Sequence, residues 1–426
     1  MPDPVQGSNT SIRIIPQTAK DVVGADGSVI SASAPSFKPE ASNFVDDALT
    51  GRPQAGEVVR GKQKSSGDAT YTVNRSSILP MAQAHFGGHR VRGASGFFVH
   101  EYWYDTMQYQ AFEQKMTNDA GSMYLQFINT LVGTTRFSLK EQDLMKAMFG
   151  IVGGKQIAPI PTTSLITGTL TDRTGKPPLS YLRAFVKIAG TKVATVQSLD
   201  INSDRHADTY AAMDETSYVA GAITGKPTCA GTAKMLLDVP TYTNLGLDPD
   251  NIQSLEAVVP QGNFFGVGIE MPNVKFQLPR VGTNGLLLHD QTLDFDASGP
   301  VGSADVAAQL RSKFFTTPTD LGGLTLIFTV TGAGAQTITF ASGDNTPALV
   351  AAKINATATL LTASVERMFG ETGGSVVLKT IAKGTGVTLT IGAGTANTAL
   401  GFTDTTPTTG LDGQTIVLRV FTDVAA

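Results

Sequence analysis

Glycine and proline occupy 45 and 21 of the 426 positions. Breakers at that frequency leave few uninterrupted runs for long helices. With abundant Thr and Val they favour short strands joined by turns. At about 150 residues per domain, the length suggests roughly two or three domains. Charged residues make up only 16%, below the ~25% of an average soluble domain, so little surface is given to solvated charge. Thirty-two basic against 36 acidic side chains leave a net charge of −4. A chain that wraps nucleic acid through its phosphates needs a basic excess, which is missing here. The single cysteine, Cys229, excludes an intrachain disulfide framework and a cysteine-based zinc site. No apolar run approaches the ~18 residues of a membrane-spanning helix. The start, MPDPVQGSNTS, lacks the basic and apolar regions of a secretory signal. The expectation is a soluble, mainly β protein made in a reducing compartment.

Local patterns refine this. GDATYTV, from Gly67 to Val73, alternates like a half-buried strand, a helix is predicted over Ser76–Ala84 before Gly87-Gly88, and GFFVHEYWYD has strong β propensity. SLKEQDLMKAMFG predicts a second helix, with Ser138 and Glu141 as a capping box, Leu144, Met145 and Met148 on one face, and Gly150 at the end. AFVKIAGTKVATVQSLDI reads as paired strands.

A short repeat stands out. Gly61 opens GKQKSSGDA and Gly225 opens GKPTCAGTA, each flanked by β-like runs. The shared Gly-Lys, the Gly six residues on (Gly67, Gly231) and the Ala eight on predict a duplicated strand–turn–strand unit with these glycines in tight turns. Neither copy is a phosphate-binding loop, since Gly-Lys is followed by Gln63 or Pro227. Composition then shifts near Thr319: from there to Gly410, 22 of 92 residues are Thr and nine are charged. LTLIFTV and QTITF predict a hairpin, and Thr346-Pro347 starts a helix. SVVLKTI and VTLTI predict a second hairpin around KGTG. QTIVLRVFTD then alternates as one more strand, with Ile416, Leu418 and Val420 opposite Val417, Arg419 and Phe421. Residues 319–410 are therefore expected to be an α/β module inserted into a domain of residues 1–318 that is completed by 411–426.

Candidate chemistry is sparse. HFGGH spaces His85 and His89 by four, but two glycines argue against a helical ligand pair. DFDASGPVGSAD, Asp294 to Asp305, approaches a calcium loop, with Asp294, Asp296 and Asp305 as candidate ligands. The competing account is a strand TLDFDA followed by a helix, ADVAAQLRSKFF, capped by Ser303. No Gly-x-Ser-x-Gly elbow, paired catalytic carboxylates or Cys–His pattern appears, so no catalytic residue and no cofactor is expected.

Three segments carry a family likeness: SFKPEASNFVDDALTGRPQAGEVVRGKQKSSGDATYTV, SLDINSDRHADTYAAMDETSYVAGAITGKPTCAGTAKMLLD and GVGIEMPNVKFQLPRVGTNGLLLHDQTLDFDA. In this order they resemble the major tail tube proteins of bacteriophages with long, non-contractile tails. The resemblance implies a virion structural protein and not an enzyme. It implies a mainly β, sandwich- or barrel-forming tube fold with one or two flanking helices, and a homohexameric ring whose strands make a common barrel. Stacked rings would form the DNA ejection channel and meet other tail proteins at the tube ends. DNA would pass without specific binding, and the chain would not insert into membranes. It would be made in the host cytoplasm and reside in the virion tail. Asp294 and Asp296 then become candidates for lining the channel. The outer module would obstruct a contractile sheath, which implies a sheathless tail. Two alternatives stand beside this: another ring-forming virion part, such as a baseplate or connector, and a calcium-dependent β-rich binding or adhesion protein.

Overall fold

The structure is a computed structural model. It describes residues 10–424 apart from 34, 46–57, 95, 119–120, 194, 212–216, 237–246, 248–250, 263–264, 285–287, 300–304, 316–318, 367–372 and 403–406. The chain is mainly β, with few helices. One large system, antiparallel except where Leu170–Asp172 runs parallel to Gly27–Ile30, holds nearly all strands outside the Thr-rich region. Among the described residues each pairing adds a strand and none returns on itself, so this chain alone closes no barrel.

Two long strands act as forks. Gly121–Lys140 pairs with Lys146–Gln156 along one edge; along the other it pairs first with Gln110–Asn118 and then with Val196–Asp204. Phe265–Phe276 repeats the arrangement: Ile252–Gln261 runs along one edge, and Val417–Thr422 followed by Leu288–Ser298 along the other. Around these forks lie two sheets that share one core. The first runs Lys38–Val45, Val58–Thr72, Lys146–Gln156, Gly121–Lys140, Val196–Asp204, Thr228–Leu236, Leu288–Ser298. The second runs Gly87–Ala94, Phe97–Tyr104, Val417–Thr422, Phe265–Phe276, Ile252–Gln261. Period-two alternation sends Tyr71, Phe137, Phe149, Ile201 and Phe295 from the first sheet, and Tyr102, Ile269, Leu418 and Val420 from the second, into a single apolar cluster.

The predicted first helix is present as Ile78–Phe86, shifted by two residues. Asn74 holds the turn that leads into it: its Oδ1 accepts from the amides of Ser76 (2.8 Å) and Ser77 (2.7 Å), while the cap residue Ser77 makes no side-chain cap bond. Gly87, at φ 82°, closes it. The predicted second helix is a correction. Residues 138–150 are the end of one strand, a turn with Gln142 at φ 61°, and the start of the next. Phe137, Leu139, Met145, Ala147 and Phe149 are all buried, and this strand-period alternation overrides the three helix-spaced apolar residues. ADVAAQLRSKFF is also not helical, since Ala307–Arg311 is a strand. Its proposed cap, Ser303, lies outside the described residues.

The Thr-rich region has its own core, built from Leu326, Phe328, Val350, Ile354, Leu378 and Ile391 among others. Its helix, Pro347–Thr357, starts as expected, with Thr346 Oγ1 accepting from the Leu349 amide at 3.4 Å. The second predicted hairpin is not formed. Ser375–Lys383 joins Leu361–Glu366 and Ala307–Arg311, whereas Thr388–Ile391 joins Thr325–Val330 and Thr408–Thr409. The core reaches back to Ala308, ahead of the compositional step near Thr319, because its first strand contains no Thr. The chain enters and leaves through a two-stranded neck. Val306 donates to the Leu411 carbonyl at 2.7 Å and Leu411 to the Val306 carbonyl at 3.0 Å. The module packs on the outer face of the second sheet: Val306 and Leu411 meet Val417 and Trp103, and Arg311 lies 5.1 Å from the Phe421 ring.

This topology sets a paired test. The neck residues are a hydrogen-bonded antiparallel pair, whose Cα atoms lie about 5.5 Å apart. Replacing 307–410 by a short Gly/Ser linker is expected to leave a cooperatively unfolding β protein. Ending the chain after Gly410 removes Val417–Thr422 from between two strands and is expected to abolish the transition. Urea denaturation followed by circular dichroism distinguishes the two.

Candidate functional surface

Among the described residues, the outer face of the first sheet is uncovered around Arg136 and Asn202, and it is polar. Register aligns Met148, Arg136, Asn202, Ala230 and Asp296 across five strands; a neighbouring row carries Lys146, Ser138, Asp200, Thr232 and Asp294. Both channel-lining candidates, Asp294 and Asp296, lie on this face. Leu293 and Phe295 point the other way into the core, so the alternation read from TLDFDA is present. An open depression of about 530 Å³ includes Arg136, Asp200, Asn202, Thr232, Asp294 and Asp296.

The face is less acidic than the sequence suggests. Asp294 accepts from Thr232 Oγ1 at 2.9 Å and pairs with Arg280 at 2.5 Å. Asp200 has Arg136 at 3.3 Å, and Asp296 accepts from Gln277 Nε2 at 2.9 Å. Charge is therefore largely matched within the sheet, and short polar side chains fill the space between.

The calcium reading does not fit. Asp294 and Asp296 sit in a paired strand with their carboxylates engaged by Arg280, Thr232 and Gln277. Asp305 works elsewhere, accepting from the Gly413 amide at 2.8 Å beside the module neck. Residues 300–304 of that motif lie outside the described residues. Among the described residues no three His, Cys, Asp or Glu side chains are grouped to hold a metal.

The repeated glycines need a similar correction. Gly61 and Gly67 lie inside Val58–Thr72, and Gly231 lies inside Thr228–Leu236. Of the four, only Gly225 is in a connection, donating back to the carbonyls of Arg205 and His206. What two of them supply is close approach. A Cβ on Gly67, at φ 139°, would stand 2.6 Å from the Ser36 carbonyl oxygen; one on Gly231 would stand 2.3 Å from the Asp200 oxygen and 2.4 Å from Phe295 Cζ.

The HFGGH histidines part company. His89 stacks on Tyr102 at 4.5 Å and contacts His100 Nδ1 at 3.0 Å. His85 is fully buried at the helix end. Its Nδ1–H donates to the Val132 carbonyl at 2.9 Å, so Nε2 is left to accept from Ser203 at 2.5 Å, and Tyr104 donates to Ser203 in turn. No local pattern marks this chain, because its members lie on three separated segments. Serine beside histidine has the form of a nucleophile and its base, but Ser203 is 0% exposed, so the chain ties the helix to the sheet.

No protein-family model matches this sequence, and no curated protein matches it.

Two expectations follow. Gly231→Val should cost about 1–3 kcal/mol through overpacking against Phe295, read as a lower urea midpoint at unchanged slope. Burial pushes the His85 pKa down to about 4, and burial with the neighbouring His100 does the same for His89. A depressed folded-state pKa means that the unfolded chain takes up the proton first, near the ordinary 6.5. Stability is therefore intact above pH 6.5 and falls as pH drops towards 4. His85→Asn should flatten that decline in urea midpoints measured from pH 7 to 4. An unchanged decline would assign it to other groups.

Proposed function

We propose that this chain is a virion structural protein, the subunit of hexameric rings that stack into the tube of a long, non-contractile bacteriophage tail. The reading begins from the family resemblance of the three segments above. The observation that carries it further is the layering. The uncovered polar face and the Thr-rich module lie on opposite sides of the shared core. A tube subunit needs this polarity, with a polar, charge-matched face towards passing DNA and any bulky addition on the outside. Matched charge also suits passage, since a basic lining would hold the phosphates.

Sheet margins support assembly through edges. Lys38–Val45 and Arg280–Asn284 each have one paired neighbour among the described residues. Open edges of this kind invite aggregation unless another strand covers them, and ring closure would cover both. In this reading the chain is not an enzyme, takes no cofactor, and contacts DNA only in transit.

Electron microscopy of the purified protein tests the proposal. Hollow tubes of stacked rings are expected. Isolated rings would favour a connector or baseplate role, and monomers persisting at high concentration would overturn assembly altogether. A further check uses Asp296→Lys with Asn202→Lys. If this face lines the channel, tubes should form and genome ejection should slow; unchanged ejection from virions carrying both changes would place the face elsewhere.

A further inference from the structure

Between the module and the outer face of the second sheet lies a cavity of about 240 Å³. Its surroundings have an unbalanced set of buried charges. Glu101, only 1% exposed, takes Arg90, Arg92 and Arg419, with Arg90 Nε at 2.6 Å and Arg419 Nε at 3.0 Å. Arg419 also reaches Glu270, and Arg311 pairs with Glu366 at 3.0 Å. The cavity wall itself carries Lys187, Lys379 and Arg419 against Glu256, Glu270 and Glu366, and two further cations, Arg90 and Arg92, stand behind it on Glu101. The remaining carboxylate at the cavity, Glu256, is committed to Lys187 at 2.8 Å. Each carboxylate has its cation, and the excess charge is positive.

Two cationic groups at the cavity have spare capacity. Arg419, 8% exposed, has its Nη2 buried without a hydrogen-bond partner. Lys379, half-buried on the module side, makes no ion pair among the described residues, although its charge reaches Glu270 on the same wall. A buried donor on a charged group is costly to leave unsatisfied, and an ordered water or an anion can take the place of the missing partner. The strand pattern also makes room for one. Gly268 stands directly opposite Arg419 in the pairing register and opposite Val258 on its other side. A Cβ there would meet nothing nearer than 3.7 Å, from Phe421. This glycine leaves a gap in the row of side chains, and its backbone conformation does not demand glycine.

We propose that this cavity is a binding site for a small oxyanion of the phosphate type, held between the guanidinium of Arg419 and the ammonium of Lys379. One spare guanidinium nitrogen and a mobile ammonium approaching from different elements suit a group with several oxygens. Because one cation belongs to the sheet and the other to the module, the bound anion would fasten the two together. The site is independent of ring assembly.

Isothermal titration calorimetry of the full chain with inorganic phosphate, at constant ionic strength in chloride, tests this. The wild type should show one saturable site per chain. Gly268→Val should fold, fill the cavity and abolish the heat. Lys379→Gln, which leaves the buried network untouched, should weaken binding about tenfold, the loss of one charge-assisted contact. Absence of a saturable heat in the wild type would overturn the proposal. So would equal binding by wild type and Lys379→Gln, or undiminished binding in a folded Gly268→Val protein.

Discussion

The Glu101 carboxylate is the point on which the second sheet depends. Burial alone would raise its pKa, but Arg92, Arg90 and Arg419 outweigh that and hold it well below the usual carboxylate range. Burial likewise opposes the charge on Arg419, and Glu270 and Glu101 reverse this, so that its pKa is raised. Neither partner is stable alone in this position. Losing Glu101 would leave three guanidinium groups buried around a void, the situation in which removal of one ion-pair partner is most damaging. The network links Gly87–Ala94, Phe97–Tyr104, Val417–Thr422 and Phe265–Phe276 across adjacent register positions. It therefore selects the register in which the last strand docks. Apolar side chains on the other face of Val417–Thr422 would bury almost as well after a two-residue slip; Arg419 would not find its carboxylates.

That selection matters because the last strand returns from a long excursion. Between Val306 and Leu411 the chain builds a body with its own core, then must re-enter a sheet whose two flanking strands were laid down far earlier in the sequence. Loop-closure entropy rises slowly with length, so the insertion is tolerable once the neck is paired. The Val306–Leu411 bridge brings the chain back beside its point of departure, and Arg90 donates to the Thr409 carbonyl at the same place. An arginine of the buried network thus also holds the exit of the module.

Legibility in the sequence followed the periodicity of burial. TLDFDA and QTIVLRVFTD could be read face by face because one side of each alternates cleanly into the core. SLKEQDLMKAMFG misled because the turn at residues 141–144 joins two strand ends, and Leu144, Met145 and Met148 fall by chance at helical spacing. Met145 is buried, Leu144 is 38% exposed, and Met148 points to the polar face. Ala307–Arg311 is buried at all five positions, so it offers no alternation at all. A short segment of that kind is indistinguishable from a helix by pattern alone. The KGTG segment failed for a topological reason, since its flanking strands go to different sheets. Of the candidate site, Asp294 and Asp296 were legible as one face of a strand. Their partners were not, because Arg280 and Thr232 come from other strands and Gln277 from the connection after Phe265–Phe276. The His85–Ser203–Tyr104 chain and the arginine cluster were beyond reach for the same reason.

The glycine repeat teaches something narrower about what duplication preserves. Gly67 and Gly231 recur at the same offset, yet neither turns the chain. Each sits in a strand with partners on both sides and removes a side chain where a neighbouring backbone crosses closely. The two strands also flank, directly or through one intervening strand, the fork formed by Gly121–Lys140. A fork forces two partners to share one edge of a long strand, and that edge must bend where one partner gives way to the next. The glycines answer a nearer constraint: the Ser36–Phe37 backbone crosses at Gly67, the Asp200 carbonyl and the Phe295 ring stand against Gly231, and a residue without Cβ admits them at no cost in pairing. The repeat accordingly marks two places in the first sheet where close approach leaves no room for a side chain.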